Sequence, residues 1–273
     1  MRAGLAAAAL ATLALAAPAA AQPSAGEVLR GAVATLNRGH GPEVRDYGFT
    51  LVHDDVRTPV YVERGDEEWM VHASEDSPMG SMMAMAVVWP SFATVGDPRE
   101  ELEGVDDARY VREEQVGGRR AHLVTSAFSD DPAAEGVDSV QLYVDAETSH
   151  VLRAHVAGTV PEDGGPFAQG DMRLTVDMLD HRATTEGVVV PRRLHLRMTM
   201  TLPEMDPAER DRLTMGVAAL RAQMQGSDDP EAREMLAMME LFSTLLSGGE
   251  LDLPMAVEDV VVNAGPPAWL DEM

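Results

Sequence analysis

Eight histidines and a scatter of adjacent acidic pairs are the groups in this chain with the chemistry to move a proton or hold a metal. A histidine titrates near neutral pH and offers a ring nitrogen to a metal, and two carboxylates meeting in a cleft can act as acid and base. Their spacing supports neither role. His150 and His155 bracket one candidate strand, and their odd separation puts them on opposite faces. His195 falls on the polar side of its strand, facing water. The pairs Asp54-Asp55, Asp66-Glu67-Glu68, Asp106-Asp107, Asp130-Asp131 and Asp228-Asp229 sit at predicted turns or helix starts, where acids are favoured for capping and solvation alone. The sequence has no cysteine and no lysine, which excludes thiol chemistry, Cys-based zinc sites, Schiff bases and the phosphate-loop lysine. It also lacks the nucleophile-elbow, zincin and EF-hand patterns. The expectation is a non-catalytic protein without cofactor or metal.

The elements that would position any site are announced by alternation. In GDMRLTVDML, Met172, Leu174, Val176 and Met178 fall on one side, with Arg173, Thr175 and Asp177 on the other. In RRLHLRMTM, Leu194, Leu196, Met198 and Met200 oppose Arg193, His195, Arg197 and Thr199. Side chains of a strand point alternately to its two faces, so period two means a sheet with one apolar and one wet face. Sheets of that kind are usually antiparallel.

Further strands are expected at Tyr47–His53, Pro59–Arg64, Glu67–Ala73, Arg109–Gln115, Arg119–Ser126, Ser139–Val144, Val151–Gly158 and Met255–Asn263. Gly117-Gly118 reads as a two-residue hairpin turn. Ser24 and Glu27 form a capping box ahead of VLRGAVATLNRG, whose Val28, Leu29, Ala32, Val33 and Leu36 recur at helical spacing. Two stretches break the strand pattern. Residues 77–92 are a Met-rich segment, read as a flap or short buried helix. Residues 203–249 carry helical periodicity and read as a helical hairpin. Strands run consecutively without alternating helices, so the chain is α+β, mainly β, with one antiparallel sheet in a single domain over 22–273.

Residues 1–21 have a short basic start, an apolar run and a small-residue cleavage site, which describes a secretory signal peptide cut after Ala21. The mature chain offers no transmembrane segment, and the expected location is the periplasm. The formal net charge of −25 opposes binding to nucleic acid or anionic membrane surfaces.

Methionine is abundant at 18 residues, while aromatic residues make up only 4 %. Met172, Met178, Met198 and Met200 line one sheet face, with Leu174, Val176, Leu194 and Leu196 between them. Met82, Met85 and Trp89 lie on the flap, and Leu220, Met235, Met239 and Phe242 on the hairpin. Each of these residues could be ordinary core. As a set they describe a flexible apolar lining beneath covers, suited to an acyl chain.

The run VQLYVDAETSHVLRAHVAG, Val140 to Gly158, resembles a recurring hairpin of the periplasmic outer-membrane lipoprotein-carrier superfamily, in which a strand enters an Asp-x-x-Thr turn and the next strand carries a cation. Here these are Asp145, Thr148 and Arg153. The following stretch, with Glu186-Gly187-Val188 and Pro191, is similar to the next hairpin of the same families. The resemblance implies an unclosed half-barrel, a curved antiparallel sheet whose concave apolar face is covered by helices. It further implies binding of a lipid or lipoprotein acyl chain in an apolar cavity. The alternative is an envelope sensor or scaffold that binds another protein through its acidic surface or helical hairpin.

Overall fold

The structure is a computed structural model and describes residues 22–39, 41–54, 56–66, 69–73, 108–127, 136–160, 170–201 and 248–272, together with helical residues 212, 215, 216, 218, 219, 221, 222 and 243–245. Helix α1 spans Ala25–Gly39. Its start is the expected capping box. The Ser24 amide donates to Glu27 Oε2 at 2.7 Å, and the Glu27 amide donates to Ser24 Oγ at 3.2 Å. Two amides that the helix itself cannot satisfy are thereby paired.

Ten strands follow: β1 (Asp46–His53), β2 (Val56–Arg64), β3 (Trp69–Ala73), β4 (Arg109–Val116), β5 (Arg119–Ala127), β6 (Val137–Asp145), β7 (Val151–Thr159), β8 (Asp171–Ala183), β9 (Val189–Thr201) and β10 (Glu250–Val262). They form one sheet in the order β3-β2-β1-β10-β9-β8-β7-β6-β5-β4. Every pairing is antiparallel. The strands at the two edges, β3 and β4, do not pair with each other, so the curved sheet stays open. Sequence neighbours pair along most of the sheet, as short connections favour. The exception is β1 with β10, which joins the two ends of the chain in the middle of the sheet.

The tightest connection is between β4 and β5, where Gly117 (φ 57°) and Gly118 (φ 82°) occupy the left-handed region that a two-residue hairpin turn demands. β10 starts at Glu250, five residues before the expected Met255. Pro254 hid that extension, since proline donates nothing to a ladder. It is tolerated because the β1–β10 pairing runs only as far as Val52↔Ala256. Beyond that point the His53 ring donates from Nδ1 to the Pro254 carbonyl at 2.8 Å.

The core lies on one face of this sheet. Leu174, Val176, Leu194, Leu196, Leu251, Leu253, Phe49, Leu51, Val60 and Val62 meet Ala25, Val28, Leu29 and Ala32 of α1, together with Leu245. The helix is fixed near the β6–β7 turn by the Thr35 hydroxyl, which donates to the Thr148 carbonyl at 3.4 Å. A smaller apolar group, Val116, Ala121, Leu123, Tyr143 and Leu152, forms apart from it. The expected flap (77–92) and signal peptide lie outside the described residues, as does the expected hairpin (203–249) apart from its few helical positions. Those at 212–222 are exposed. Among the described residues, no helix is long and apolar enough to cross a membrane.

Candidate functional site

Strands β8 and β9 pair over nearly their full length, and the register fixes what each face presents. On one side Met172 stands opposite Met200, Leu174 opposite Met198, Val176 opposite Leu196 and Met178 opposite Leu194. β10 continues the same rows with Leu251, Leu253 and Met255. Burial on this face is graded along the strands. Exposure rises from 2 % at Leu194 through 3 % at Leu196 and 5 % at Met198 to 9 % at Met200. On β8 it runs from 1 % at Met178 through 2 % and 6 % at Val176 and Leu174 to half-buried Met172. Packing is tightest at one end of the hairpin and loosest at the other, the end where methionine is concentrated.

The polar face has the opposite chemistry. Its central row runs Arg153, Asp177, His195 across β7, β8 and β9. Asp177 is buried and accepts from Arg153 Nε on one oxygen and from Arg197 Nη2 on the other at 3.1 Å. That bond holds Arg153 more firmly protonated than a free guanidinium, and the same cation lies over the Tyr143 ring at 5.7 Å. His195 pairs with Asp252 of β10.

One row further along, His155, Thr175 and Arg197 stand side by side. His155 Nδ1 shares a 2.7 Å hydrogen bond with Thr175 Oγ1. Burial, then the Arg153 guanidinium, push His155 below the usual imidazole range, so it is neutral at physiological pH. Arg197 Nε is buried and has no hydrogen-bond partner among the described residues. The next row is Ala157, Arg173, Thr199 and Glu250. These two rows, with Ser139 and Gln141 of β6, line a groove of about 540 Å³ across five strands.

Two further features sit at the far end of the hairpin. His150 and His181 stack face to face, with ring centroids 4.6 Å apart and planes 6° from parallel, beside Thr35 and Leu36 of α1. Burial chiefly, with the His150 and Arg119 charges, pushes His181 down to about 4, while Asp145 and Asp180 oppose the shift. In the β6–β7 turn, buried Asp145 accepts from the Glu147 and Thr148 amides at 2.9 and 2.7 Å and from the Thr148 hydroxyl at 3.0 Å. Arg119 Nε adds an ion pair at 2.6 Å. Burial alone would raise Asp145, but these donors outweigh it and hold the carboxyl below its ordinary range. The Asp-x-x-Thr signature is thus a self-closing turn with structural work to do.

Of the residues expected to line a ligand, Met172, Leu174, Val176, Met178, Leu194, Leu196, Met198 and Met200 share one face. Met82, Met85, Trp89, Leu220, Met235, Met239 and Phe242 lie outside the described residues. Sequence reasoning took Arg173, Arg197 and Thr199 only as a wet face. Their convergence with His155 and Glu250 appears once the register of five strands is known, and no spacing within one strand signals it.

Neither a protein-family model nor a curated protein sequence matches the chain. Solved structures similar to it include a protein domain named for outer membrane lipoprotein sorting from Vibrio parahaemolyticus, with 8 % identity and a TM-score of 0.44, over 89 % of this chain and 95 % of that one. A DUF1329 family protein from Desulfovibrio piger is 8 % identical with a TM-score of 0.43, over 90 % and 96 % of the two chains. A LolA superfamily protein from Nitrosomonas europaea is 11 % identical with a TM-score of 0.40, over 90 % and 96 %. Carrier-type proteins, the group that the Val140–Gly158 hairpin resembles, are thus among the structures similar to the chain. Those values describe a shared outline and assign nothing to single residues.

Proposed function

We propose that this chain is an exported, periplasmic, non-catalytic protein that holds a lipid or lipoprotein acyl chain against the apolar face of its sheet. The observation that carries the reading is the graded packing of the β8–β9 hairpin. A core that only stabilised the fold would gain from being tight along its whole length, whereas this face loosens toward Met172, Met198 and Met200. Methionine is unbranched and adapts its shape, which suits a chain of variable length and kink. Each methylene buried there would contribute about 0.8 kcal/mol, so affinity needs no catalytic or charged group. An acyl chain would enter at the Met172–Met200 row and run toward Leu196.

The test is mass spectrometry of organic extracts of the mature protein, purified from a periplasm without detergent. Stoichiometric lipid or lipoprotein is the expected result and would name the cargo class. A lipid-free protein that also ignores fluorescent fatty acids would overturn the reading and leave the apolar face as plain core.

A further inference from the structure

We propose that the groove on the polar face of the sheet binds a small zwitterion, its oxyanion on Arg173 and Arg197 and its amine on Glu250. Arg173, Thr199 and Glu250 lie in one cross-strand row on β8, β9 and β10. Neighbouring strands lie about 4.8 Å apart, so the backbones of Arg173 and Glu250 are separated by about 10 Å. Neither side chain forms an ion pair among the described residues. Opposite charges are therefore held two strands apart on the floor of one groove, with the Thr199 hydroxyl between them. Nearby, Arg153 is engaged with Asp177 and Asp252 with His195, while Asp171, two residues from Arg173 on the same face of β8, adds a second carboxylate at that end of the groove.

Arg197 points to the same ligand class from a different direction. One of its terminal nitrogens serves Asp177, and its Nε–H is sealed from solvent. The rest of its side chain is 34 % exposed, and that solvent-facing part of the guanidinium is what an oxyanion bridging to Arg173 would meet. Two guanidiniums beside a threonine hydroxyl suit phosphate or carboxylate oxygens. The surrounding field selects for the zwitterion. A chain of net charge −25 repels a bare anion, whereas a ligand that carries its own amine is repelled less and gains Glu250. The volume, about 540 Å³, falls in the range of small-molecule sites. This site is independent of acyl-chain binding, because it uses the opposite face of the sheet.

The experiment is titration calorimetry of the mature chain with phosphoethanolamine and with inorganic phosphate, each at low and at physiological salt. Phosphoethanolamine is expected to bind at least about tenfold more tightly than phosphate. Arg173→Gln should weaken both ligands by about tenfold or more. Glu250→Gln should bring phosphoethanolamine down to the level of phosphate. Arg193→Gln, on the same face of β9 but outside the groove, should leave both unchanged. No saturable binding of phosphoethanolamine at millimolar concentration would overturn the proposal. So would equal affinity for the two ligands in the wild type, or a wild-type isotherm in Arg173→Gln. Phosphatidylethanolamine vesicles that displace phosphoethanolamine would identify the source as a lipid headgroup. Vesicles that fail to displace it would identify a free metabolite, and both results support the site.

Discussion

The two faces of the β8–β9 hairpin are made by the same 13-residue strands, yet they reach stability by different means and relax toward the same end. On the apolar face order comes from packing, tightest at Met178 and Leu194 and loosest at Met172 and Met200. On the polar face it comes from pairing. Asp177 is clamped by two arginines near the tight end, while Arg173 and Glu250 stand apart near the loose one. A hairpin of this kind has a structural end and an available end, and both candidate sites fall at the available end.

The largest expected effect sharpens the packing half of that comparison. Met178→Ala removes a fully buried side chain and should cost about 4 kcal/mol, while Met200→Ala should cost only about 1 kcal/mol because its surroundings can relax. Urea denaturation of both variants measures the difference. Equal losses would mean the gradient of exposure has no energetic counterpart, and the available end would lose its basis.

A pH titration probes the structural end, where a histidine pair sits against α1 instead of water. His181 falls from 6.5 to about 4 on folding, chiefly through burial. Between those values the unfolded chain takes up a proton that the folded chain refuses. Its contribution is therefore intact above pH 6.5 and declines as pH falls, with a total loss of about 3 kcal/mol by pH 4. Chemical denaturation across that window should show the decline, and His181→Phe should flatten it while keeping a ring against His150. An unchanged slope in the variant would assign the acid sensitivity elsewhere.

On the polar face the largest expected loss comes from Asp177→Ala, about 2 kcal/mol, since Arg153 and Arg197 would be left with unpaired charge. The Arg153 and Arg197 side chains are 27 % and 34 % exposed, which keeps the cost below that of a fully buried pair. Thermal unfolding of the variant checks it.

Alternation along single strands made most of this architecture legible in the sequence. Met172 to Met178 and Leu194 to Met200 occupy the face their spacing predicts, and the Ser24–Glu27 cap and the Gly117-Gly118 turn form as expected. Period two reports the face of a residue but not its neighbours. Arg173 and Arg197 look alike in sequence, and only the register across β7 to β10 separates the one that Asp177 holds from the one that is unpaired among the described residues. His150 and His181 meet for the same reason, through the pairing of β7 with β8. Pro254 concealed the start of β10 because its tolerance depends on where β1 stops.

The smallest expected effect is also the sharpest discriminator within the polar face. Arg173 is exposed and without an ion pair among the described residues, so Arg173→Gln should shift stability by less than about 0.5 kcal/mol, as should Arg193→Gln. Removing a surface cation from a chain of net charge −25 adds a little self-repulsion, equally in both variants. Urea midpoints matching the wild type would show that Arg173 is held in the groove without holding the fold, as a ligand-facing group should be. A loss for Arg173→Gln as large as that for Asp177→Ala would mean the charge supports the sheet, and the distinction between the two ends of the polar face would collapse.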